Sequence, residues 1–149
     1  MEINGIAHCM LTVSDFEACA PFYRKLLVFL GLEPVIDTDG MLYCVGGRTA
    51  VGIMRAEEKF AGERFQQFRV GLHHLCFRAR EREDIDSLHE FLLELGATIV
   101  HPPEEGSWAP GYYSVLFEDP DGMRIEANFV PGKGHLEPGS EIPFKDRPL

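Results

Sequence analysis

Apolar positions along the chain recur at two spacings, and the switch between them marks out the elements. From Gly5 to Val13 side chains alternate between faces, with Ile6, His8, Met10 and Thr12 on one side. From Ser14 the period lengthens to three and four residues. Phe16, Cys19, Ala20, Tyr23, Leu26, Leu27 and Leu30 then form one helical stripe that stops at Gly31, and Ser14 with Glu17 has capping-box spacing. A second helix runs from about Asp84 to Leu95, with Ile85, Leu88, Phe91, Leu92 and Leu95 on its stripe and Gly96 just past its end. Short strands follow each helix. In the first half they are Glu33–Asp37, Met41–Val45 and Arg48–Met54, joined by the turns Asp39-Gly40 and Gly46-Gly47. In the second half they are Ala97–His101, Tyr112–Glu118 and Met123–Val130, with the turn Asp119-Pro120-Asp121-Gly122.

The chain also repeats itself. Gly5–Val13 and Gly71–Ala79 align without gaps, with a histidine in the fourth place of each, His8 and His74. Strand, helix and three strands therefore occur twice. The predicted fold is α+β: paired βαβββ modules with curved mixed sheets. The first module with its linker spans 1–66, the second 67–132, and a tail rich in Pro and Gly 133–149. One helix covers only one face of a four-stranded sheet. The bare faces, within one chain or from two copies, are expected to close on each other as a cup.

Period two decides which side chains enter that cup. Leu72, His74 and Cys76 repeat the face of His8. On the last strand Met123, Ile125, Ala127 and Phe129 form one face and Arg124, Glu126 and Asn128 the other. A carboxylate among Leu and Phe on the helix side would be costly, so Glu126 is assigned to the cup. Two imidazoles and one carboxylate suffice for a divalent ion and leave roughly three positions of an octahedral shell for water and substrate oxygens. Such an ion polarises a carbonyl or holds an oxyanion. Blander readings stand beside this one. A strand histidine is more often a hydrogen-bonded core or surface residue, and Glu126 could pair with Arg124. The metal reading is favoured because His8 and His74 share one slot of the repeat and Glu126 lies on the strand closing the second copy. His73 is assigned to the opposite strand face, and His89, His101 and His135 to helix surface, loop and tail. Aligning Gly47 with Gly122 sets Val51 opposite Glu126, which gives three protein ligands rather than four. Arg124 and Asn128 could hold a substrate carboxylate or carbonyl. Trp108, Tyr112 and Tyr113 lie on an approach through Gly106–Gly111, with Trp108 and Tyr113 as candidate substrate contacts, and Met10, a further candidate contact, would line the pocket with Cys76 and Phe117 as apolar surface. The general base in view is Glu126 itself, displaced from the ion, or a water on the ion.

Composition narrows the partners. With 149 residues, 45% of them hydrophobic, the chain can build a core, and a net charge of −10 excludes a general attraction to nucleic acid or anionic membranes. No apolar run approaches the ~20 residues that cross a bilayer. The first residues lack the layout of a secretory signal. Cys9, Cys19, Cys44 and Cys76 form no C-x-x-C pair, so buried free thiols in a reducing cytoplasm are expected.

GIAHCMLTV, GLHHLCFRA and GYYSVLFEDPDGMRIEANFV together resemble the vicinal oxygen chelate superfamily, the group of glyoxalases, bleomycin-resistance proteins and ring-cleaving dioxygenases. The resemblance spans about Ile3 to Pro131. It implies a metal-dependent enzyme whose small organic substrate chelates the ion through adjacent oxygens. The ligands would be His8, His74 and Glu126, the ion Fe, Mn, Ni, Co or Zn, and the assembly a homodimer, often with each site built from both chains. Glyoxalase I-like members use four protein ligands. The tyrosine of the dioxygenases is Leu116 here, and the threonine of fosfomycin-type thiol transferases is Met10. The resemblance thus leaves lyase, isomerase, dioxygenase and transferase chemistry open, with a metal-free, drug-sequestering module as the alternative.

Overall fold

The computed structural model describes residues 1–3 and 5–139; the end of the tail, 140–149, lies outside the described residues. The chain divides into two compact units, Met1–Phe65 together with Pro120–Gly122, and Gln66–Asp119 together with Met123 onward.

The first unit holds β1 (His8–Val13), α1 (Phe16–Phe29), β2 (Glu33–Asp37), β3 (Met41–Val45) and β4 (Ala50–Arg55). Its sheet has the order β1-β4-β3-β2, parallel between β1 and β4 and antiparallel elsewhere. Leu11, Val13, Leu42, Cys44, Val51 and Ile53 are buried, as are Phe16, Cys19, Tyr23, Leu26 and Leu27 of α1. Phe22 joins them, while Leu30, the last residue of the predicted stripe, is only half-buried where the helix ends. His8 and Thr12 are exposed on the other face of β1, as period two requires.

The second unit repeats the plan with β5 (Leu75–Arg78), α2 (Glu83–Leu95), β6 (Thr98–Glu105), β7 (Tyr113–Glu118) and β8 (Arg124–Phe129), in the order β5-β8-β7-β6. Ile85, Leu88 and Leu92 of α2, Val115 and Phe117 of β7, and Ile125 and Ala127 of β8 make its core. Gly96 ends α2 in the left-handed region at φ 75°. Strand β6 continues through Pro102 and Pro103, beyond its predicted end at His101. It can do so because it is an edge strand, where a missing N–H need not break a ladder; the register shifts there, between His101 and Glu104.

The predicted capping box at Ser14 is replaced by two carboxylates. Asp15 is the N-cap of α1, and its Oδ1 accepts from the Ala18 N–H at 3.0 Å. Ser14 turns instead to Asp121, which accepts from the Ser14 backbone N–H, from its hydroxyl at 3.0 Å and from the Asp15 N–H at 3.3 Å. The Asp-Pro-Asp-Gly segment is thus more than a turn. Asp119 closes it by accepting from the Met123 N–H at 2.8 Å, and Asp121 is buried at the start of α1. Negative charge is favourable at that end of a helix. Asp121→Ala would strand these donors and is expected to cost about 1–2 kcal/mol, read as a lower urea midpoint at unchanged slope. Asp121→Asn should lose less.

Of the four thiols expected to be buried, only Cys19 and Cys44 are. Cys9 is intermediate and Cys76 exposed, because Cys76 stands on the sheet face away from α2. Among the described residues no helix is long and apolar enough to cross a membrane.

Candidate functional site

The face of the second sheet that α2 leaves uncovered carries Cys76 and Arg78 from β5, Arg124, Glu126 and Asn128 from β8, and Ser114, Leu116 and Glu118 from β7. Glu126 sits at its middle, paired with Cys76 on one side and Leu116 on the other. Its Oε1 accepts a hydrogen bond from the hydroxyl of Tyr112, and Asn128 Nδ2 donates to the same hydroxyl at 3.1 Å. Burial first, and then the Glu126 carboxylate, push the Tyr112 hydroxyl far above the usual phenol range, so it stays a donor. The Cys76 thiol is raised in the same way, by desolvation and by the Glu126 charge, and stays protonated.

The other carboxylate oxygen, Oε2, faces His74 Nε2 at 3.4 Å. Which nitrogen of His74 carries the proton follows from its neighbours. His73 Nδ1 and His74 Nδ1 are 2.7 Å apart, so one must donate. The Gln67 amide nitrogen, a donor only, lies 3.4 Å from His73 Nδ1 and makes that atom the acceptor. The shared proton then belongs to His74 Nδ1. A neutral His74 presents a bare Nε2 lone pair to an anionic oxygen, and two acceptors face each other. A cation between them removes the repulsion. Bonds of about 2.0–2.2 Å at near right angles hold two donors roughly 3 Å apart, close to the spacing found. The pair therefore fits two neighbouring ligands of one divalent ion. Within this unit, among the described residues, no third His, Cys, Asp or Glu completes such a group. A cavity of about 440 Å³ opens over the pair, with Gln67, His101, Trp108, Tyr112 and Leu116 in its walls.

Several predicted residues stand elsewhere than expected. His73 does not point away from His74. Residues 71–74 precede β5 and are not extended strand, so alternation does not apply to them, and both rings line one cavity. Tyr113, assigned to substrate, lies on the opposite face from Glu126. Its hydroxyl donates to Asp86 at 2.7 Å and the Arg82 guanidinium stacks 3.6 Å from its ring centre. Phe117, expected to line the pocket, is fully buried on the core side. Counting back from Val115 and Phe117 puts Tyr113 with them and Tyr112 with Glu126, a signal already present in the chain. Arg124 is tied to Glu118 at 3.0 Å, its neighbour across the ladder, rather than to Glu126. Trp108 does line the cavity, and Asn128 reaches Glu126 only through Tyr112. Gln67 lies in the connector, where no period assigns it a role, and His101, assigned to the loop, lies instead within β6 on the side that lines the cavity.

In the first unit His8 rests edge-on to Tyr43, with ring centres 6.5 Å apart. Met10 pairs with Gly52 across the parallel ladder, as Cys76 pairs with Glu126. The residue matching Glu126 is therefore Gly52, not Val51. The alignment through Gly47 and Gly122 was off by one because turn lengths differ, while strand partners fix register. A Cβ on Gly52 would lie 2.6 Å from Met10 Sδ and 2.8 Å from Tyr43 Cδ2, so those side chains fill the place of the carboxylate.

The family model of the Glyoxalase/Bleomycin resistance protein/Dioxygenase superfamily matches residues 5–127. YqjT of Bacillus subtilis (strain 168), itself uncharacterised, is 32% identical over 123 residues, which are 80% of this chain and 94% of that protein. The metallothiol transferase FosB of Shouchella clausii is 26% identical over 127 residues, 85% of this chain and 80% of FosB. Among solved structures, a glyoxalase-type protein from Bacillus halodurans superposes with a TM-score of 0.75 at 30% identity, covering 85% of this chain and 96% of its own. Repeated modules, matched strand order and these likenesses agree: the chain belongs to the Glyoxalase/Bleomycin resistance protein/Dioxygenase superfamily.

Proposed function

We propose that the chain is a metal-dependent enzyme acting on a small organic substrate that presents two adjacent oxygens. His74 and Glu126 supply two donors, and His8, from the same chain or from the second copy in a homodimer, supplies the third. The observation that carries this reading is the pair of facing acceptors, His74 Nε2 and Glu126 Oε2, at 3.4 Å. A divalent ion held there, Fe, Mn, Ni, Co or Zn, would supply Lewis-acid polarisation of a substrate oxygen.

The chain's own groups do the rest. Tyr112 holds one oxygen of Glu126 and leaves the other turned toward His74. Asn128 fixes Tyr112 in turn. Trp108 and Leu116 give the cavity apolar wall, which favours a partly hydrophobic substrate and thins the water around it. His101 lines the same cavity, and its Nδ1–H donates to the Pro102 carbonyl at 3.0 Å, so Nε2 keeps a lone pair able to take a proton. A base without the tyrosine of the dioxygenases or the threonine of the thiol transferases favours proton-transfer chemistry, as in a lyase or isomerase. Metal analysis of protein purified without chelator or nickel affinity steps tests the reading. About one divalent ion per chain is expected. Protein that holds none, and takes up none when ions are added, would overturn it and favour the metal-free sequestering module.

A further inference from the structure

A second cavity, of about 450 Å³, lies on the same open face and shares Tyr112 as a wall with the first. Its charge is the reverse. Glu104, Glu105 and Glu126 line the first cavity, whereas among the described residues no Asp or Glu lines the second, in a chain with 24 acidic residues. Arg78, Lys133 and His135 gather there against the apolar Val130 and Leu136. Arg24, Arg55, Arg82 and Arg124 each lie on a carboxylate. Arg78 differs. Its Nη2 donates to the Val130 carbonyl at 3.1 Å, which aims the guanidinium without neutralising it. Among the described residues no carboxylate pairs with the Arg78 or Lys133 side chain. Like charges brought together in this way repel unless an anion joins them. Arg78 pairs with Asn128 as Cys76 pairs with Glu126, so two residues of strand, about 7 Å, separate the two levels.

We propose that this second cavity is an anion subsite that takes the carboxylate or phosphate of a small substrate whose adjacent oxygens lie at Glu126. The substrate class is then a short organic acid or phosphate ester, its anionic group roughly 7 Å from its chelating end. The proposal rests on the reading of the Glu126 cavity as the reaction site, and its test is independent of any ion there.

Phenylacetate, phenyl phosphate and neutral phenylacetamide are titrated by ligand-observed NMR into the full chain with chelator present. At least one anion should bind, weakening with salt, and the amide at least tenfold less well; the tighter anion identifies carboxylate or phosphate. Arg78→Gln should weaken that anion about tenfold or more, since a charged bidentate donor is lost. Arg78→Lys, which keeps the charge, should retain more binding than Arg78→Gln. His74→Ala should leave anion binding within about twofold. Equal binding of amide and anion, or indifference to Arg78→Gln in a folded variant, overturns the subsite. Arg78-dependent binding in a chain that holds no metal would leave the subsite standing and remove the metal reading alone.

Discussion

A His74→Ala variant is expected to bind divalent ions at least about a hundredfold more weakly than the parent while unfolding at the parent's temperature when chelator is present. Structural zinc in peptides contributes about 10–16 kcal/mol through four ligands, or roughly 3 kcal/mol for each donor, and that is a hundredfold in affinity. The second half of the expectation comes from the proton inventory. With Gln67 and His73 holding the proton on His74 Nδ1, a neutral His74 turns a bare Nε2 toward Glu126 Oε2, and on this account the contact brings no stabilisation to the metal-free chain. Removing the imidazole then relieves a repulsion, which offsets the hydrogen bond lost to His73, and costs little, the more so because the His74 side chain is 34% exposed. The competing account makes His74 an imidazolium paired with Glu126. It predicts the opposite: no change in metal uptake and a fall in the melting temperature of the chelated protein. Uptake measured against a fluorescent chelator, together with melting curves in excess chelator, separates the two accounts in one pair of proteins.

Phe117→Ala should be the most destabilising single truncation in the second unit, at about 3–5 kcal/mol. Phe117 is fully buried, faces Ile125 across the β7–β8 ladder, and belongs to the core with Ile85, Leu88 and Leu92 of α2. None of these neighbours belongs to a loop that could collapse into the space, so a cavity would remain. Urea unfolding of parent and variant measures the loss. A cost below about 1 kcal/mol would show that Phe117 lies on the accessible face after all, since a side chain lining an open pocket gives up little on truncation.

The modules, both helices and most strands were legible because each depends on a local period. The boundaries of β2 and β3, and the glycine cap of α2, follow from residues adjacent in the chain. Within the site, alternation also placed Glu126 on the face opposite Ile125 and Ala127. What was illegible lies where no period operates. Residues 71–74 approach β5 without being strand, so parity could not show that His73 and His74 touch. Gln67 sits in a connector and meets His73 only through tertiary packing. The match between Gly52 and Glu126 needed the parallel partners of β4 and β8, which a turn-based alignment of the two halves does not supply. Tyr112 is a different case. Its parity was readable, but the adjacent Tyr113 offered an equally plausible hydroxyl one residue away, on the wrong face.

Asp121 also bears on the order in which the protein takes shape during synthesis. The group that holds the amides just ahead of α1, those of Ser14 and Asp15, lies more than a hundred positions downstream, and it counts with Met1–Phe65 in one compact unit. Ribosomes add about 5–20 residues per second, so the stretch through Phe65 emerges several seconds before its own last piece. During that interval α1 has only Asp15 at its start, and the nascent unit is weaker than the finished one. The closing contact is made late, by a returning segment, so the first unit is complete only once most of the second has been translated.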